Sequence, residues 1–384
     1  VAFVFIVGGA FQIITATGAI DAGMRRVVRR FKSKDILVIP IAMLLFALGG
    51  STFGMAEETL PFFAIFLPIM IAMGFDSLTA FMIVFIGAKA GYIASTVNPF
   101  SVLIAQGVIG ITGNPQLWLR AIMFVVIVGL SIGWVVLYAR KIRKNPELSL
   151  TYKDDKQKRL EMGTVDDDAP FTMAQKWVLV VFLAGMALIV WGLVTQGWYM
   201  TELSAVFLAM GLISGIVARF SQQKIAQEFV VGLKDFAFSA IVIGLARGVL
   251  VIADNGMIID TILNAMATGL SDVAPAVYTT ILYVVENLLT ILVPSSSSLA
   301  ALTMPIFGPL TELVGLNPEG AVTALCLAEP MMTIIAPTSA ILVAGLAVCK
   351  ISLEQWWKTC WKWWLLMSVV CIGFTTVSAM LPVA

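Results

Sequence analysis

Two stretches of this chain are apolar enough to lie at membrane depth, yet too broken to be plain spans. The first, ALGGSTFGMAEETLPFFAIFLP (residues 47–68), is followed by a second interrupted stretch, GAKAGYIASTVNPFSVLIA (87–105). The pair recurs as NLLTILVPSSSSLAALTMPIFGP (287–309) and AEPMMTIIAPTSAILVAG (328–345). A bilayer offers no water to backbone N–H and C=O groups. Gly-, Ser- and Pro-interrupted backbone is therefore tolerated there only where protein buries it or it lines a cavity. Such interruptions at matching places in two halves mark the binding site of a carrier.

The rest of the chain supplies the membrane. It is 60% hydrophobic and 12% charged, with a mean hydropathy of +0.97. A soluble domain carries about 25% charged residues. Runs long enough for a bilayer core recur at 1–20, 79–105, 119–139, 177–194, 204–217, 236–253, 321–348 and 364–380. The expected fold class is therefore an all-α polytopic membrane protein. Net charge is +1, which gives nothing to attract a nucleic acid. The chain has no histidine and no GxxxxGK[ST] loop, which argues against a metal-hydrolase site and against an ATP-driven pump. Its four cysteines lie in apolar segments without metal spacing and read as packing residues. No cofactor is expected beyond Na⁺ or H⁺ as a coupling ion. A channel would need one continuous polar pore, whereas polarity here gathers at the interruptions.

The polar segment 145–170 divides the chain into a first repeat (1–144) and a second (171–384), and reads as a cytoplasmic connector. Each repeat runs through a hairpin, an interrupted helix and a final helix. One enters from the cytoplasm and the other from outside, so they are expected to be inverted. The second repeat has two helices that the first lacks, so at least one further span is expected ahead of Val1. If both hairpins enter and leave on one side, 21 of the 24 Lys and Arg fall on a single face. By the positive-inside rule that face is cytoplasmic, which places the chain in a cytoplasmic (inner) membrane. The tryptophans at 356, 357, 361, 363 and 364 read as an interfacial belt.

Only 13 residues separate Asp35 from Gly49–Gly50, and 13 separate Ser298 from Glu312. At about 1.5 Å per residue neither leg crosses a bilayer, so both hairpins are expected to be re-entrant, with tips at Gly49–Gly50 and at the serines. Tip residues Ser51, Thr52, Ser295, Ser296, Ser297 and Ser298 then face the helix breaks, Ser95, Thr96 and Asn98 before Pro99, and Thr338 and Ser339 after Pro337. Helix ends at such breaks hold anions and cations, and the tips are a place for Na⁺. Six ionisable side chains lie where lipid would be: Glu57, Glu58, Lys89, Arg247, Glu286 and Glu329. Each costs about 2.5–3.5 kcal/mol to insert, so the default reading is functional. Asn287 adjoins Glu286 and joins the candidate substrate- or ion-binding set. Acids outnumber bases, which favours a cationic ligand, with Glu58 and Glu329 foremost. Lys89 or Arg247 would serve an anionic one.

GGSTFGMAEETLPF, GAKAGYIASTVNPFSVLIAQ, the PSSSS tip and the IIAPTSA break resemble the YfcC-like branch of the anaerobic C4-dicarboxylate carrier family, over nearly the whole chain. The resemblance implies a scaffold and a moving transport domain, an elevator-like mechanism and a homodimer. Dicarboxylate-binding relatives place Ser-Asn-Thr motifs at tips and breaks. Here the first site matches in part and the second lacks the Asn. The YfcC-like branch implies basic amino-acid exchange, and the alternative is a C4-dicarboxylate.

Overall fold

The computed structural model describes residues 2–20, 22–23, 36–56, 59–161, 171–196, 198, 200–235, 237, 252, 256 and 273–382. Among them are fifteen α-helices. The first repeat holds α1 (Ala2–Ala16), α2 (Val38–Phe53), α3 (Leu60–Ala72), α4 (Ser77–Ile93), α5 (Val102–Val108) and α6 (Leu117–Lys144). The connector contributes a 3-10 turn (Pro146–Leu148) and α7 (Tyr152–Glu161). Then come α8 (Met173–Gln196), α9 (Met200–Val217), α10 (Gln222–Asp235), α11 (Pro275–Leu292), α12 (Ser296–Leu313), α13 (Glu319–Thr333), α14 (Ala340–Val348) and α15 (Leu353–Met380). Local chemistry sets several starts. Asp76 caps α4 by accepting from Thr79 N at 2.9 Å, and Ser352 with Gln355 forms a capping box on α15. Most of the expected run 236–253 lies outside the described residues, as do Glu57, Glu58 and Arg247.

Three helices, α6, α11 and α15, are long and apolar enough to cross a membrane. The 28-residue α6 and α15 turn side chains such as Val125 and Val369 outward, as a lipid-facing surface requires. Helix packing forms two groups. In one, α1 lies against α9 and α10, and α9 against α8. In the other, α2 packs on α4 and α11 on α13, while α5 lies on α12 and α14 on α3. The second leg of each hairpin thus packs on the far half of the other repeat's broken helix.

The hairpin tips differ from expectation. α2 runs straight through Gly49 and Gly50, and the turn falls at Gly54, whose φ of 71° a glycine adopts freely. Gly50 instead permits a helix crossing. A Cβ there would lie 2.2 Å from the Ala88 carbonyl oxygen, and a Cβ on Gly91 would lie 1.9 Å from that of Ala47. In the second hairpin, α12 starts within the serines at Ser296, so both of its legs have 18 residues. Such a leg is about 27 Å long, and the 13-residue length argument for re-entry therefore fails.

Candidate functional site

The first break knots onto the end of α2. Ser51 Oγ donates to Ala94 O at 2.8 Å and lies 3.1 Å from Thr96 Oγ1, while Thr96 N donates to Ser51 O at 3.0 Å. Ser95 Oγ donates to Tyr92 O at 2.5 Å, and Asn98 Nδ2 donates to Ser95 Oγ at 3.2 Å. Asn98 Oδ1 accepts from Phe100 N at 2.9 Å and sits so close to Gly54 that a Cβ there would come within 2.8 Å of it. The reason is local. Pro99 disfavours helix at Asn98 and has no N–H, so carbonyls of the preceding turn lose their helical donors. Small hydroxyl side chains take those places.

The second cluster is carboxylate-centred. Ser296, at the first turn of α12, donates to Glu329 Oε2 at 2.8 Å, and its Oγ lies 3.0 Å from Tyr92 Oη. Ser297 Oγ donates to Phe100 O at 3.0 Å, tying the start of α12 to the first break. Lys89 Nζ donates to Thr333 Oγ1 at 2.8 Å, one turn beyond Glu329 on α13, and stands 5.5 Å from the Tyr92 ring centre. Both Lys89 and Glu329 are buried, Glu329 at 4% exposure. A cation, a carboxylate, several hydroxyls and a helix N-terminus without a side-chain cap thus converge where the two repeats meet.

The structure brings together Ser51, Lys89, Ser95, Thr96, Asn98, Ser296, Ser297 and Glu329. Ser295 and Ser298 bond each other at 3.1 Å beside them. Thr52 turns back to Leu48 O of its own helix, Thr338 is exposed, and Ser339 is the N-cap of α14. Glu286 and Asn287 lie apart, on the buried face of α11.

Tyr92 bridges the two clusters and was not singled out from the sequence, although it sits among the quoted residues of the first interruption. The tryptophans do not all face outward as a belt would: Trp356 and Trp363 are fully buried, while Trp357 and Trp361 are exposed. Trp356 Nε1 donates to Ile334 O at 2.9 Å, Trp357 Nε1 to Ile335 O at 2.9 Å and Trp364 Nε1 to Met331 O at 2.8 Å. Carbonyls freed where α13 ends are thus satisfied by indoles from α15.

Comparison with known proteins bears on the whole chain. Residues 1–380 match the family described as DcuC, C4-dicarboxylate anaerobic carrier. The chain is 34% identical over 367 residues to YfcC of Escherichia coli (strain K12), a candidate basic amino acid antiporter, covering 93% of this chain and 72% of that protein. It is 33% identical over 359 residues to an uncharacterised protein of Haemophilus influenzae, covering 93% and 70%. Two solved transporters share the fold. The Alcanivorax borkumensis YdaH transporter matches with a TM-score of 0.71 at 15% identity, over 98% of this chain and 84% of that one. The Neisseria gonorrhoeae MtrF efflux pump matches with 0.72 at 16%, over 99% and 81%. The chain belongs to the C4-dicarboxylate anaerobic carrier (DcuC) family of membrane transporters.

Proposed function

We propose that the chain is an elevator-type secondary transporter of the bacterial cytoplasmic membrane that carries a basic amino acid, by exchange or coupled to H⁺ or Na⁺. The observation that carries this reading is the buried Glu329 carboxylate beside the open first turn of α12. A cationic group would pair with Glu329, and the α-carboxylate of the same molecule would meet the amides and hydroxyls at Ser296–Ser297. The name borne by the relative YfcC favours the same substrate class. In this reading the hairpins α2–α3 and α11–α12 are re-entrant because their turns meet the first helix break inside the protein rather than because their legs are short, the repeats are inverted, and the basic loops face the cytoplasm. The group around α1 forms the scaffold of a homodimer, and a Na⁺ site, if present, lies at the tips. The family's description favours a second reading, a C4-dicarboxylate with Lys89 as its counter-charge.

Proteoliposomes preloaded with arginine or with succinate separate the two. Saturable counterflow of labelled arginine, abolished by Glu329→Gln, is the expected result. Counterflow of succinate alone, indifferent to Glu329→Gln, overturns the basic amino-acid reading and moves the weight to Lys89.

A further inference from the structure

Glu286 lies in the middle of α11 with no exposure to solvent, and neither carboxylate oxygen has a hydrogen-bond partner among the described residues. An ionised carboxylate held this way, without water or a counter-ion, is among the costliest groups a membrane protein can bury. The polar side chain beside it is Thr303 on α12. The Thr303 hydroxyl proton is already directed at Leu299 O, 3.0 Å away. While that hydroxyl stays on Leu299 O it offers Glu286 lone pairs only, and a protonated carboxyl is then the group that supplies a proton between the two.

Among the described residues, the surroundings supply no charge to replace that proton. On α12, Glu312 is exposed. On α13, Glu319 is bound by Arg120 and Glu329 accepts from Ser296, while Cys326 is a buried thiol. On α15, Glu354 pairs with Lys358 at the exposed end, Lys362 is exposed, and Cys360 and Cys371 are buried thiols. On α11 itself, Tyr278 Oη lies 2.7 Å from Thr311 Oγ1, and Tyr283 Oη has no hydrogen-bond partner among the described residues. Among the described residues Glu286 is thus an isolated acid on a packed helix face. That face continues toward the hairpin turn through Thr290, whose hydroxyl donates to Glu286 O at 2.7 Å.

We propose that Glu286 is the proton-binding carboxyl that couples substrate movement to the proton gradient, its protonated form allowing the α11–α12 hairpin to close against α13 and α15. Loss of the proton leaves a bare charge on the packed face of α11. The hairpin must then move to bring the carboxylate to water or to a cation, the kind of two-state bias that links an ion to a conformation. A merely structural polar residue would serve equally well as glutamine. A coupling residue would not.

This inference rests on the carrier reading above, and its test separates the two. In proteoliposomes of the full-length protein, arginine uptake driven by a pH gradient is measured against arginine counterflow without one. In Glu286→Gln the ratio of driven to exchange flux falls by about tenfold or more, and the pH dependence of uptake flattens. Driven uptake that survives in Glu286→Gln, or wild-type uptake that follows Na⁺ and ignores pH, overturns the proposal. Infrared difference spectra of membranes without any substrate decide the protonation independently. The wild type should show a carboxylic-acid C=O band at neutral pH that Glu286→Gln lacks. Absence of the band overturns the proposal even where transport is intact, whereas absence of arginine and succinate counterflow with the band present overturns the two substrate assignments and leaves the protonated carboxyl standing. If Glu286→Gln fails to insert, Thr303→Val replaces it: losing the acceptor should shift the band to higher frequency, and an unmoved band overturns the assignment.

Discussion

Arg120 and Glu319 form an ion pair of 2.8 Å with both side chains about 1% exposed, joining α6 of the first repeat to the start of α13 in the second. Gln106 Nε2 adds a bond of 2.6 Å to Glu319 Oε1, and Asn317 Oδ1 accepts from Glu319 N at 3.0 Å. The guanidinium is less well served, since its Nε and Nη1 have no partner among the described residues. Burial of two charges is offset mainly by their mutual attraction, so removing one is worse than removing both. Arg120→Met should lower stability by about 3–5 kcal/mol, while Arg120→Met with Glu319→Gln should recover most of that loss. Thermal unfolding in detergent measures both, and equal destabilisation by the two variants would show that packing, not charge, is what Arg120 provides. In the sequence, Arg120 falls at the start of the apolar run 119–139 and Glu319 just ahead of the run 321–348, and nothing marks them as partners. Their pairing spans 199 positions and leaves no local mark. Gly50 was visible for the same reason it was misread. A glycine signals either a turn or a close crossing, and only the Ala88 carbonyl opposite decides for the crossing.

At the scale of elements, the two breaks were legible because Pro99 and Pro337 cannot continue a helix, a constraint that needs no partner. What closes each break was legible only in the first. Ser95 and Thr96 lie in the gap itself and Ser51 stands in the glycine-rich tip already picked out, whereas the indoles that close the second arrive from a helix about twenty residues on. The connector shows a similar limit. Its charges read as a solvated strand of chain, yet α7 docks. Asp155 accepts from Ser77 N at 2.9 Å and from Ser77 Oγ, at the first turn of α4. Lys158 Nζ donates to Asp155 Oδ1 at 3.0 Å and to Cys349 O at 2.9 Å, at the end of α14. An acid at a helix start and a base at a helix end are both placed as the helix dipole favours. One ion pair thus clips the outer ends of both broken helices. Asp155→Ala should remove about 0.5–2 kcal/mol from the start of α4, the range of a lost N-terminal cap. Hydrogen exchange checks this directly: the Ser77 amide should lose protection while the middle of α4 keeps it, and an unchanged Ser77 would mean that Asp76 alone holds that end.

For the whole molecule, the decisive surface lies between the group around α1 and the group that holds the hairpins. It is largely aromatic. Phe11 of α1 stacks on Phe53 at the end of α2 with ring centres 5.2 Å apart, and lies 6.2 Å from Phe100 in the first break. Phe182 of α8 meets Phe53 edge-on at 5.3 Å. The polar groups of α1 point the other way, Gln12 to Glu228 on α10 at 3.0 Å, while the Thr17 and Gly18 carbonyls take Gln175. Ring contacts are attractive but impose no single register, and none of the hydrogen bonds given above crosses between the two groups, so among the described residues one group can travel over the other without breaking them. The proposed elevator movement requires that freedom, and a cross-link removes it. In a background with Cys326, Cys349, Cys360 and Cys371 replaced, Phe11→Cys and Phe53→Cys should each transport as single variants. Joined in the double variant by a short bifunctional thiosulfonate, they should bring counterflow down to that of empty liposomes, and a reductant should restore it. Full transport with the link intact would mean that the two groups move as one body. The substrate would then have to pass by local opening of the α11–α12 turn alone.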